Sequence, residues 1–422
     1  MQTGVRVQPT LRAFINMSTA TNLSSLLKPL QLGPYTTRNR IFMSALTRNR
    51  TVPTNVPNEL LVEYYRQRAR SAGLIVTEGV LVAQQGTEWP HAPGIWSQEQ
   101  VQGWKKVTDV VHAEVSLLYS DLGDLSEHQA HCPVAGRISH PDAPEQIASG
   151  EPVYAPSAIA ARGGKFRHIP GKPDTGYVTP TAIDDPKKLI ALLKKAAVNA
   201  KNAGFRRCRA SRSRGFLSSN SNKRTDAYGG SLENRMRFTL EVLKEVIDVW
   251  GPERVGIKLN PPGGLNDCDM PLEETVKTYS SLITDIDKLG IGYISLMRYN
   301  PMLDPLKTAA VHDVVEMYAH LIKNPKTVFI PNSGFTLEEG AQFVDKNPGS
   351  AIFYGIPWIM NPDLAKRVEL GKPVAGFDKL DMLGLQGYYP PYPHDEDLMK
   401  GENLAKLKED LKKGYSDYPD AQ

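Results

Sequence analysis

Residues 328–355 read VFIPNSGFTLEEGAQFVDKNPGSAIFYG, and this stretch decides the fold. Two short apolar runs, Val328 to Asn332 and Ala351 to Gly355, are too brief for helices and are rich in β-forming residues. Between them, Thr336 to Asp345 carries the spacing of an amphipathic helix. A strand, a helix and a second strand in so few residues describe a parallel crossover unit, because parallel neighbours need a connection of this length.

The same rhythm extends in both directions. Further buried strands are expected at Arg40 to Leu46, Gly73 to Gly79, Val255 to Asn260 and Tyr293 to Met297. Helical patterns cover Glu59 to Ser71, Gln98 to Glu114, Asp184 to Ala203, Ser231 to Trp250, Pro271 to Leu289, Thr308 to Lys323 and Asn361 to Leu370. Eight helices against six strands leave two strands to find, and spacing puts them near 115–135 and 205–217. The expected fold is therefore a single-domain (β/α)8 TIM barrel with atypical third and fourth strands. The region 115–135 holds one apolar triplet followed by a polar run, and residues 206–215, RRCRASRSRG, hold five arginines in ten positions.

With 422 residues and 41% hydrophobic content the chain can bury one large core. Residues 1–22 read as a disordered N-terminal extension, residues 23–387 as the barrel and 388–422 as a charged, Tyr/Pro-rich tail against its outside. A formal charge of +4 from 50 basic and 46 acidic residues gives no argument for nucleic acid. Cys132, Cys208 and Cys268 lack metal-ligand spacing and fit a reducing compartment, so a cytoplasmic protein without a metal is expected. No apolar run reaches the length of a membrane span.

Barrel active sites sit at the carboxyl ends of the strands. There, Ser333-Gly334 and Tyr354-Gly355 offer small residues whose N–H groups could approach an anion, although two ordinary turns would look the same. Lys258 alternates with Ile257 and Leu259, so a cation points into an apolar interior and calls for an anion or a Schiff-base role. Ala45, Leu46 and Thr47 place small groups and a hydroxyl where a flat ring could lie.

Several segments together resemble the Old Yellow Enzyme family of FMN-dependent NADPH dehydrogenases, in its fungal-type form. They are LLKPLQLGPYTTRNRIFMSALTRNR at 26–50, EYYRQRA at 63–69, GLIVTEG at 73–79, APGIWSQEQVQGWKKV at 92–107, GRISHPD at 136–142, SSNSNKRTDAYGGSLENRMRF at 218–238 and NPDL at 361–364. The resemblance implies FMN at the barrel mouth, with Ala45, Leu46, Thr47 and Gly79 around the ring, Lys258 at its N1/C2 edge, and Ser333, Gly334, Tyr354 and Gly355 around the phosphate. It also implies hydride transfer from NADPH through FMN to the C=C bond of an enone, in a monomer or homodimer.

Three departures follow from the same resemblance. Residues 206–215 stand where the family carries a strand like DGVEIHGANGYLLDQ, so the His, Asn and Tyr that grip and protonate substrate are absent and the catalytic residues stay unknown. Residues 115–135 lack the expected Gln-Leu-Trp-His strand, and Ile356 replaces an arginine at the phosphate. Reading either disrupted stretch one nucleotide later permits a family-like strand, which leaves a flavin-binding pseudoenzyme or a faulty gene model as alternatives. An Arg/Ser RNA-binding element is the remaining rival. The five arginines lead to the expectation that residues 206–215 avoid the core and leave open sheet edges.

Overall fold

The computed structural model describes residues 22–420, apart from 88, 115–116, 123–124, 127–128, 131–140, 163–176, 211–213, 265–266, 302–303, 305 and 376–398. The proposed extension, save its last residue, and Cys132 lie outside the described residues. Eight parallel strands close into a barrel. In chain order they are β1 (Ile41–Met43), β2 (Leu74–Val76), β3 (Leu117–Leu122), β4 (Arg207–Ala210), β5 (Val255–Leu259), β6 (Tyr293–Met297), β7 (Val328–Asn332) and β8 (Ile352–Tyr354).

Side chains alternate along each strand between the barrel interior and the surrounding helices. On β5, Val255, Ile257 and Leu259 pack into the cluster shared with the helices, while Gly256 and Lys258 point inward. Gly256 has to be glycine because a Cβ there would lie 2.2 Å from the Tyr293 ring, which fills the interior. Phe42, Leu74, Val76, Tyr293, Ile330 and Phe353 form the inner cluster, with the Phe353 ring centred 5.7 Å from Phe42 and 5.6 Å from Tyr293. An antiparallel hairpin, Leu30–Leu32 with Tyr35–Thr37, contributes Leu30 and Leu32 to this cluster and plugs the amino end of the barrel.

The expectation that residues 206–215 avoid the core is overturned. Arg207–Ala210 pairs with β3 on one side and β5 on the other, so the barrel has no open edge at this point. The reason is the backbone: an interior strand satisfies two rows of N–H and C=O groups that a gap would strand. Arg207 and Arg209 are buried, Arg206 is exposed, and Arg214 pairs with Asp269 at 3.1 Å. Arg207 lies at the amino end, where it donates to the Leu32 carbonyl of the hairpin and its guanidinium sits 4.7 Å from the centre of the Tyr35 ring. Arg212 falls outside the described residues.

The helices follow the periodicity closely, as Glu59–Ala69, Gln98–Ala113, Lys187–Asn202, Leu232–Trp250, Leu272–Asp287 and Leu337–Lys346. The helix expected over 308–323 is shorter. Asp313 accepts from the N–H groups of Val315 and Glu316 and starts it at Val314, and after Tyr318 the chain tightens into a 3-10 turn, Ala319–Leu321. In the tail, a helix Gly401–Asp410 leads to Leu411 and Tyr415, both buried in the cluster that includes Tyr64, Tyr65 and Trp358. Among the described residues no helix is long and apolar enough to cross a membrane.

Candidate active site

The carboxyl end of the barrel brings together the residues singled out from sequence, in two groups. Around β7 and β8, Ser333, Gly334, Tyr354, Gly355 and Ile356 line one cavity of about 720 Å³ with Phe335, Met360 and Val374. Around β1, β2 and β5, Ala45, Leu46, Thr47, Gly79 and Lys258 are buried and do not line that cavity.

The cavity group combines a left-handed turn with buried polar atoms that lack partners among the described residues. Ser333 holds a φ of 79°, a left-handed conformation that serine rarely adopts, and Gly334 follows at 67°. Ser333 is 3% exposed, yet among the described residues its hydroxyl has no hydrogen-bond partner, and neither has the Oδ1 of buried Asn332. Buried polar atoms left without partners are costly and mark a place where a ligand can complete them. The helix Leu337–Lys346 begins just beyond, its Thr336 cap locked by a reciprocal bond with Glu339. Tyr354 contributes backbone alone. Its ring turns outward under that helix, where a Cβ on Gly340 would meet the hydroxyl, and burial pushes its pKa up.

In the second group Lys258, 2% exposed, reaches inward to within 3.5 Å of the Ser44 hydroxyl. A sequence reading passed over Glu78, which ties the group together. Its Oε2 accepts from the backbone N–H of Arg48 at 2.9 Å and of Asn49 at 3.3 Å, while the Glu78 N–H donates to the Tyr65 hydroxyl at 2.8 Å. The loops after β1 and β2, which carry Thr47 and Gly79, are thereby joined through one carboxyl group. Burial pushes the Glu78 pKa up to about 7 against the opposing pull of the Arg48 N–H, the nearby Arg48 charge, the Asn49 N–H and the Arg50 charge. Its place one residue before Gly79 was the available signal.

Beyond the loop after β1, Arg48 and Arg50 turn away from the mouth to the tail. Arg48 donates to the Gly414 carbonyl at 2.8 Å and Arg50 to that of Leu411 at 3.0 Å. Arg298, immediately after β6, was also missed, although position alone could have found it. Among the described residues there is no cluster of His, Cys, Asp and Glu fit for a metal.

A family model for the NADH:flavin oxidoreductase / NADH oxidase family matches residues 25–374. The chain belongs to the Old Yellow Enzyme family. It is 32% identical to a probable flavin mononucleotide-dependent alkene reductase of Leishmania infantum, over 84% of this chain and 92% of that one. Against enoate reductase 1 of Kluyveromyces lactis the identity is 30%, over 90% and 96% of the two chains. The solved structure of morphinone reductase superposes with a TM-score of 0.73 at 30% identity, covering 96% of this chain and 98% of that one. As an Old Yellow Enzyme relative the chain is an FMN-type oxidoreductase, and the βα alternation and the quoted motifs were sufficient to place it there.

Proposed function

We propose that the chain binds FMN across the barrel mouth and reduces the C=C bond of α,β-unsaturated carbonyl compounds at the expense of NADPH, in the cytoplasm. The observation that carries the reading is the cradle at Ser333-Gly334, with its buried unpartnered hydroxyl and cavity, opening at the same barrel end as Lys258. The volume suits a small-molecule site. Ser333, Gly334, Tyr354 and Gly355 would hold the phosphate, largely through backbone, and Ala45, Leu46, Thr47 and Gly79 would hold the ring. When bound, FMN supplies hydride transfer between nicotinamide and enone.

The residues of this chain provide the electrostatics. Lys258 is buried on the inner face of β5 beside the Ser44 hydroxyl and would stabilise negative charge on a reduced ring. Glu78 keeps the two loops in register through two hydrogen bonds that its carboxyl oxygen accepts from the Arg48 and Asn49 N–H groups, while its own N–H donates to Tyr65 on the helix Glu59–Ala69. Substrate polarisation is the weaker part. β4 sends Arg207 to the hairpin at the amino end and Arg214 to Asp269, so neither reproduces a neutral donor pair at the mouth. Missing one such donor commonly costs about 10² to 10³ in rate. Slow enone turnover on an intact flavin site is the expected behaviour.

The test is a purified chain reconstituted with FMN. A yellow protein with a band near ~450 nm, the expected flavin absorption, that oxidises NADPH in the presence of cyclohexenone supports the proposal. A colourless protein that takes up no FMN removes it.

A further inference from the structure

The cradle poses an electrostatic problem. Among the described residues, those lining its cavity include Glu338 but no lysine or arginine. A phosphate monoester there would carry close to two negative charges beside a carboxylate, and backbone N–H groups alone would have to offset them.

One cation is poised to do so. Arg298 continues β6 with its N–H bonded to the Asn332 carbonyl at 3.0 Å, and its side chain wraps the turn after β7. Nε donates to the Ser333 carbonyl at 2.9 Å, and Nη2 donates to the Gly334 carbonyl and pairs with the Glu339 carboxylate at 3.3 Å, which offsets part of its charge. The guanidinium is packed 3.7 Å from the centre of the Phe335 ring, a face that steadies it without neutralising its charge. Nη2 also lies 3.5 Å from where a Cβ on Gly334 would be, so the charge borders the cradle itself. Its side chain keeps 32% exposure, and is thus open to a ligand rather than sealed.

We propose that Arg298 is the phosphate-binding cation of this chain, serving from the end of β6 in the place that Ile356 leaves without charge at the end of β8. The inference rests on the proposed flavin site and adds a specificity to it: the phosphate of FMN, as distinct from the riboflavin ring, is recognised through Arg298. Three neighbouring facts converge. The unpartnered Ser333 hydroxyl marks the ligand position, the left-handed Ser333-Gly334 turn opens the backbone towards it, and the same turn is gripped by the guanidinium.

The test compares FMN with riboflavin binding to the full chain stripped of flavin, by flavin fluorescence quenching. Wild-type protein should prefer FMN strongly. Arg298→Gln should weaken FMN by at least about tenfold, as expected for a lost hydrogen bond to a charged group, with riboflavin affinity unchanged, and Ile356→Arg in the same background should recover much of the preference. Equal weakening of both flavins, with each still measurably bound, would assign Arg298 to holding the turn and overturn the inference. An unchanged FMN preference in Arg298→Gln overturns it too, while leaving the flavin site standing. If wild-type protein binds neither flavin, the proposed function itself fails. Should Arg298→Gln lose both flavins, Arg298→Lys decides: retained FMN preference upholds the charge, and loss of both flavins again overturns the inference.

Discussion

Tyr415 offers the sharpest test of how the tail supports the mouth of the barrel. Its ring is fully buried, stacked on Tyr64 at 4.2 Å with an interplanar angle of 7°. It also lies under two cations, 5.2 Å from Arg48 and 4.5 Å from Arg50. Around it the tail backbone accepts from Arg48 at Gly414, from Arg50 at Leu411 and Lys413, and from Arg68 at Tyr415 itself. Tyr415→Ala removes a complete aromatic packing unit, and losses of that kind cost about 3 to 5 kcal/mol. The Tyr415 hydroxyl, by contrast, is buried without a hydrogen-bond partner among the described residues. Tyr415→Phe should therefore be neutral, or stabilising by up to about 1 kcal/mol, since an unsatisfied buried hydroxyl carries a cost. Urea denaturation followed by tryptophan fluorescence reads both variants. If Ala costs less than about 1 kcal/mol, or if Phe is as damaging as Ala, the tail is not packed against Arg48, Arg50 and Tyr64 as described, and the reasoning fails.

Glu78→Gln should flatten part of the pH dependence of stability. With the folded pKa near 7 and an ordinary value of 4.5, the folded state holds an extra proton in that window. The contribution is full below pH 4.5 and is lost as pH rises through about 7, by roughly 3 kcal/mol, so a wild-type profile without this fall would contradict the burial of Glu78. Lys258→Met should lower the potential of bound flavin by tens of millivolts, the scale of removing a few kcal/mol of charge interaction from a two-electron couple. Borohydride trapping with a carbonyl compound should leave no adduct on Lys258, and a stable adduct would assign it Schiff-base chemistry instead. Ile356→Arg, alone, should tighten FMN by about tenfold or more, measured by titration; no gain would place the phosphate elsewhere.

The barrel was legible because its strands are buried on both faces and its helices are amphipathic, signals that survive in single segments such as 328–355. Two features were not. Residues 207–210 read as incompatible with a strand because side-chain polarity was weighed alone, whereas closure of the sheet is set by backbone pairing. Arg207 is accommodated by a carbonyl and an aromatic face on a hairpin far away in sequence, which no local pattern announces. The residues after β7 and β8 that line the cavity were visible because small residues after strands have a steric meaning. The positions of Glu78, Arg298 and the tail could be read, but their contacts could not, since each acts through partners brought close only by the closed barrel: Asn49 and Tyr65 for Glu78, the Ser333 turn for Arg298, and Arg48 for Gly414.

The most direct test of the central claim is an anaerobic two-step experiment on the FMN-loaded chain, with NADPH first and cyclohexenone second. The account predicts that NADPH bleaches the flavin band, that cyclohexenone restores it slowly, and that replacing residues 206–215 with a strand bearing a His/Asn pair speeds the second step by about 10² to 10³. A bound flavin that NADPH cannot bleach, or one that the enone reoxidises no faster after the replacement, would contradict it.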